Sequence, residues 1–145
     1  MAYTGSQAQA GRGSTLGIGT TPTLIGEITD LPVNRGKWET KEVTNLDSGS
    51  DAEFISTIRK PGTVTFKGNR VASDAGQTAV EAAYQSGALA SFTITLPKTA
   101  TQTSGDTITF KALVIGSDFS ISPTQEIAFS IDLQISGATT VTPGT

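Results

Sequence analysis

The sequence contains no histidine and no cysteine. Those absences remove the commonest general base, the commonest zinc and copper ligands, thiolate nucleophiles and any disulfide framework. The redox compartment stays open. Catalysis would have to rest on carboxylates, lysines and serines, with no histidine to activate a serine. Aromatics are scarce: beyond the phenylalanines there are only Trp38, Tyr3 and Tyr84. That is thin material for the concave platform of a sugar-binding or enzymatic cleft. Charged residues make up 16% of the chain and the net charge is −3, which argues against a basic face that grips nucleic acid. No apolar run approaches the roughly 20 residues that a membrane-crossing helix requires. The opening MAYTGSQAQAGRGST lacks a charged start followed by an apolar stretch, so it does not read as a signal peptide.

What remains is a β-rich pattern of hydroxyls, glycines and alternating apolar residues. At 145 residues the chain supports one domain with a genuine core. Its most informative stretch is EIAFSIDLQIS, residues 126–136. Ile127, Phe129, Ile131, Leu133 and Ile135 share one side; Ala128, Ser130, Asp132, Gln134 and Ser136 share the other. A period of two predicts a long antiparallel strand with one buried face and one wet face. A helical period would scatter the five apolar residues around the cylinder.

Elsewhere the chain is punctuated into short segments, with no internal repeat. Residues 1–13 have hardly any apolar anchor and read as a flexible arm, and residues 138–145 as a flexible tail. Between them lies a β-domain over residues 14–137. Leu16 and Ile18 open it, a turn at Thr20-Thr21-Pro22 follows, and residues 23–28 read as a strand. Residues 37–46 alternate without a clearly apolar face. Residues 45–56, with Asp47-Ser48-Gly49-Ser50-Asp51 inside them, read as a long flexible loop. Residues 63–69 form a strand with Val64 and Phe66 inward. One helix is expected over residues 75–86, with Asp74 as N-cap, Gln77 in the position of a capping box and Gly87 as C-cap. Residues 90–96 alternate through Phe92, Ile94 and Leu96, residues 97–106 form a loop, residues 108–115 form a more continuously apolar strand, and residues 116–123 form a short connection. The total is seven or eight strands and one helix, arranged as an antiparallel β-sandwich or partly closed barrel.

Candidate chemistry gives way to plainer readings. Gly17-Ile18-Gly19 lacks the third glycine and the helix of a dinucleotide fingerprint, so it reads as a turn. Asp47, Asp51 and Glu53 share a loop but lack the spacing of a calcium site. Arg59-Lys60 with Lys67 and Arg70 forms a modest basic cluster without interleaved aromatics, read as a salt-bridging face. Asp132 sits mid-strand, where β-propensity disfavours it. A solvated strand explains it, and so does a wall facing an enclosed passage. No residue is expected to be catalytic, to bind a cofactor or to hold a metal.

Two longer segments carry a family resemblance. Residues 44–69, TNLDSGSDAEFISTIRKPGTVTFKGN, resemble the long-loop hairpin of siphophage major tail tube proteins of the lambda type. In that family a strand, an Asp-Ser loop, an aromatic-aliphatic patch and a Gly-x-Val-x-Phe-x-Gly-Asn-like strand recur in this order, with a helix following. Residues 109–137 resemble the family's closing half, a strand and a Ser-Pro turn leading to an alternating strand. The resemblance spans most of residues 14–140 and rests on order and spacing.

It implies a structural subunit and no enzyme: hexameric rings stacked into a helical tube, with sheets from six subunits joined into one inner barrel. The fold would be shared with type VI secretion tubes and contractile-tail tubes. Genomic double-stranded DNA would pass down the lumen without specific binding. The implied partners are further copies of the chain, a tape measure protein, a tail terminator and a distal tail protein, without a membrane. The implied location is the virion tail, after assembly in the host cytoplasm. In that setting Ser130, Asp132 and Gln134 are expected to face the lumen, where an acidic or neutral wall would let DNA slide, although Lys41 and Lys67 on nearby strands would weaken that charge. Asp47, Ser48, Asp51, Glu53 and Phe54, in a loop over residues 45–57, are expected between rings. Trp38, Thr40 and Glu42, on a strand polar on both sides, are expected to meet a neighbouring subunit. The rival reading is another virion β-sandwich, such as a decoration or head-completion protein.

Overall fold

Alternating burial organises most of the chain. The computed structural model describes residues 10–145, so most of the expected N-terminal arm lies outside the described residues. In chain order the elements are β1 (Thr15–Ile18), β2 (Thr23–Ile25), β3 (Ile28–Asp30), β4 (Lys37–Glu42), β5 (Phe54–Lys60), β6 (Thr63–Asn69), α1 (Ala75–Ser86), β7 (Ala90–Thr95), β8 (Thr107–Ser120) and β9 (Ala128–Thr142). Seven strands form one antiparallel sheet in the order β2-β1-β7-β8-β9-β6-β3, while β4 pairs only with β5. Strands β2 and β3 are consecutive in the chain yet form opposite edges of the sheet. Only Gly26 and Glu27 separate them, so the sheet curls until its edges approach, as a partly closed barrel.

The core lies inside that curl. Phe66, Phe92, Leu16, Ile94, Leu133 and Val80 are its largest fully buried side chains. Phe92 stacks on Phe110 with ring centroids 5.5 Å apart, and Phe66 meets Phe129 edge-on at 6.1 Å. On β9, Phe129, Ile131, Leu133 and Ile135 are buried, as the alternation requires. Ile127 precedes the strand and is exposed.

Four elements depart from the sequence expectation, three of them for a local backbone reason. The strand expected to end at Ser136 continues to Thr142, so residues 138–145 do not form a separate tail. Thr142 pairs with Thr107 and Val141 with Ile108, and Thr103 Oγ1 donates to the Thr145 carbonyl at 2.9 Å. A bulge at Gly137, with φ 84°, interrupts the alternation there and hides the continuation. Strand β8 likewise runs through the expected connection to Ser120, across a register shift between Val114 and Gly116 that leaves Ile115 outside the pairing. The strand expected over residues 23–28 is split where Glu27 takes a left-handed φ of 60°. The fourth, an unexpected strand β5, belongs to the hairpin described below.

Helix α1 forms where expected. The Asp74 carboxylate accepts from Gln77 N at 2.9 Å, and the Gly87 N–H returns to the Ala83 carbonyl. Gln77 does not complete a reciprocal capping box. Its buried amide ties three segments together instead. Nε2 donates to the carbonyls of Gly26 (3.1 Å) and Asn69 (3.0 Å), and Oε1 accepts from Val71 N (2.9 Å). The Asp74 carboxylate also accepts from Gly26 N. The start of the helix is thus pinned to the β2–β3 link and to the end of β6, and Gly76 permits the close approach, since a Cβ there would collide with the Leu24 carbonyl.

Replacing Gln77 with Ala should leave the Gly26 and Asn69 carbonyls and the Val71 N–H without this partner and lower the unfolding free energy by about 2 kcal/mol. Thr78→Ala, on the exposed side, should cost under about 0.5 kcal/mol. Urea titration of both variants checks the pin, and equal midpoints would dismiss it.

Candidate assembly surfaces

The expected site residues fall on two exposed surfaces: the outward face of the sheet and the β4–β5 hairpin. On the outward face the register sets rows across β6, β9 and β8. Lys67, Ser130 and Asp118 form one row, Thr65, Asp132 and Gly116 the next, and Thr63, Gln134 and Leu113 a third. Ser136, Lys111 and Ser91 continue it, followed by Thr109 beside Thr93. Ser130, Asp132 and Gln134 therefore share one face, opposite the core, and all three are half-buried among their row neighbours. Across β6, β9 and β8 two lysines and two aspartates balance, Asp30 of β3 adds a third carboxylate beside Lys67, and hydroxyls fill most of the remainder.

Asp132 has a structural partner here. Its Oδ1 accepts from Thr65 Oγ1 at 2.6 Å, and a Cβ on Gly116 would lie 2.7 Å from Oδ2. Glycine at the β8 bulge makes room for the carboxylate, and the neighbouring threonine holds it. Gln134 Nε2 reaches the Gly62 carbonyl at 3.4 Å, and the same carbonyl accepts from Ile135 N at 3.2 Å.

The hairpin is built differently. Trp38 pairs with Arg59, Thr40 with Ser56 and Glu42 with Phe54, so these six side chains share one face. Lys37, Lys60, Lys41 and Ile55 share the other. No residue of either strand is buried, and Trp38 (58% exposed), Phe54 (60%), Ile55 (49%) and Ile58 (58%) stand in solvent. Arg59 lies over the Trp38 ring at 5.6 Å, and Lys60 pairs with Glu39 at 2.8 Å. The expected loop over residues 45–57 is shorter than the sequence suggested, because β5 begins at Phe54. Its turn is closed by hydrogen bonds: Asp47 N donates to Asn45 Oδ1 (2.8 Å), Ser48 Oγ to Glu53 Oε2 (3.0 Å), and Val43 N to the Glu53 carbonyl (2.8 Å). Asp47, Ser48, Asp51 and Glu53 thus crowd the tip, with Leu46 fully exposed beside them. Among the described residues, no group of three or more His, Cys, Asp and Glu is placed to hold a metal ion.

At the root, Gly36 N donates to Asn34 Oδ1 (3.0 Å) and Asn34 Nδ2 to the Thr63 carbonyl (3.3 Å). Gly36 sits at φ 82° against the Lys60 carbonyl, where a side chain would collide. The hairpin therefore leaves the barrel from a fixed root beside Gly62 and β9. The four residues of the expected basic cluster serve different elements: Arg59 and Lys60 lie on the hairpin, Lys67 on the outward face, and Arg70 over Phe119. Sequence reasoning missed β5 and its exposed Ile55 and Ile58. The β-branched content of FISTIRK was the available signal.

Asp132→Ala should leave the Thr65 hydroxyl without its acceptor and lower stability by about 1 kcal/mol. Asp132→Asn keeps an acceptor oxygen and should fall less. Thermal melts of the pair distinguish this tie from a freely solvated carboxylate, for which neither change would register.

Neither a family model nor a curated protein sequence matches the chain. Solved structures do. A chain of the anti-feeding prophage baseplate, 6-fold symmetrised, superposes with a TM-score of 0.72 at 10% identity, covering 97% of this chain and 98% of that one. A chain from the tail of an empty gene transfer agent particle, refined with C6 symmetry, gives 0.68 at 19% identity over 93% and 99%. The SPP1 tail tube gives 0.54 at 20% identity over 90% of this chain and 76% of that one. From β1 to β9, the chain has the fold of these tail, tail-tube and baseplate chains.

Proposed function

We propose that this chain is a structural subunit of a phage tail tube of the siphophage type, without catalytic chemistry, which assembles into stacked hexameric rings. The hairpin is the observation that carries the reading. A two-stranded ribbon with apolar side chains in water on both faces is marginal alone, and its outer backbone edges are open. Identical neighbours would cover it, with Trp38, Thr40 and Glu42 against an adjacent subunit and the tip residues Asp47, Ser48, Asp51 and Glu53, with Phe54, against the next ring. The sixfold symmetry of the gene transfer agent tail and of the prophage baseplate supports six subunits per ring.

In the ring, the outward face over β6, β9 and β8 lines the lumen. DNA carries about one negative charge per 1.7 Å of axis, so a basic lining would bind it and stall its passage. On this face Asp118 and Asp132 offset Lys67 and Lys111, and Ser130 and Gln134 add neutral polar groups. With Asp30 beside Lys67 at the β3 edge, the lining is neutral to slightly acidic, with little electrostatic hold on the duplex. Tape measure, terminator and distal tail proteins would complete the tail, with assembly in the host cytoplasm and residence in the virion.

Negative-stain microscopy of the purified chain should show hollow tubes. Phe54→Ser with Ile55→Ser should leave a folded subunit, with stability changed by less than about 1 kcal/mol because both residues are exposed. That variant should stay as single molecules or isolated rings. Normal tubes from it would sink the hairpin's role, and a wild-type chain that stays monomeric at every concentration would sink the tube reading.

A further inference from the structure

The hairpin carries its charge in two blocks. Around its base, residues 35–40 and 56–60 hold Arg35, Lys37, Arg59 and Lys60 against one acid, Glu39, for a net +3. At its far end, residues 41–55 hold Glu42, Asp47, Asp51 and Glu53 against Lys41, for a net −3. Every one of these side chains is exposed except Arg59, which lies on Trp38. The Lys60–Glu39 pair is the one ion pair among the described residues, and it lies within the basic block.

The two blocks do not neutralise each other inside one copy. From Lys37 to Glu42 the strand spans about 17 Å at roughly 3.3 Å per residue. That is about twice the screening length of about 8 Å at physiological salt. Each block is therefore left to attract a partner of opposite sign and to repel its own kind. Two hairpins laid in parallel register would set like blocks together. Two hairpins joined tip to base would set opposite blocks together.

We propose that the acidic tip of one copy's hairpin docks on the basic base of the hairpin in the next ring, so that charge fixes the polarity of stacking. This rests on the tube reading above and adds to it a named pair of surfaces. Phe54, Ile55 and Ile58 supply apolar area, and the charges supply direction and encounter rate. A tip-to-base contact uses two different surfaces, so it stays open at each end and propagates, whereas a self-complementary contact would stop at a dimer.

Charge reversal at each end tests this in the full chain. Arg35→Glu with Lys37→Glu turns the base from +3 to −1, and Asp47→Lys with Asp51→Lys turns the tip from −3 to +1. None of these four side chains makes a hydrogen bond or ion pair that the turn or root depends on. At about 0.15 M salt, each one-end variant should raise the critical concentration for tubes by about tenfold or more. Mixing the two variants, or combining all four changes in one chain, should restore assembly, because opposite signs meet again. Sedimentation and negative-stain microscopy read the result. Tubes from both one-end variants at the wild-type concentration overturn the proposal while leaving the tube reading intact. So does failure of both the mixture and the combined variant, or recovery only of closed dimers. A wild-type chain that forms no tubes defeats the tube reading itself, and this proposal with it.

Discussion

A two-stranded ribbon cannot bury its own faces, and the most distinctive part of this chain is arranged around that constraint. The barrel holds the whole buried core. Its sheet edges, β2 and β3, are only three residues each, and the helix start is locked over the link between them by Gln77 and Asp74. The hairpin is the reverse case, with longer strands and no buried residue. The division is physical: one body has its core inside, and the appendage buries none of its residues.

That division explains what was legible in the sequence. Alternation reveals a strand when one face is buried, so the inward set on β9 and the pattern of β7 could be read directly. Helix α1 was legible from Asp74 and Gly87 because caps are local chemistry. Strand β5 was not, since Phe54, Ile55 and Ile58 fall on a ribbon with no inside and obey no period that a core would impose. The ends of β8 and β9 were hidden for another reason. Ile115-Gly116 and Gly137 are bulges, and a bulge breaks the period of two where it preserves the pairing.

The outward face shows the limit of reading a single residue. Asp132 viewed alone suggests an acidic wall. In its rows it is one of two aspartates facing two lysines, hydrogen-bonded to Thr65 and seated where Gly116 leaves space. Its position opposite Ile131 and Leu133 follows from the alternation, but its charge is one of several of both signs on that face. A face built this way presents hydroxyls and mixed signs instead of a uniform field, and a local tie accounts for the unusual carboxylate without invoking any ligand.

The two surfaces are also mechanically joined. Gly62 lies between β5 and β6, and its carbonyl accepts from Ile135 N and Gln134 Nε2 on β9. Asn34 and Gly36 lock the other side of the hairpin root, where a side chain on Gly36 would strike the Lys60 carbonyl. The direction in which the hairpin leaves the barrel is therefore set by the same backbone that orients the outward face. A subunit anchored by its hairpin has little freedom left in how that face is presented, because turning one would break bonds to the other. In the proposed tube, contacts at the appendage would thus fix how the outward face is presented, and the barrel would not need to rearrange for the two to agree.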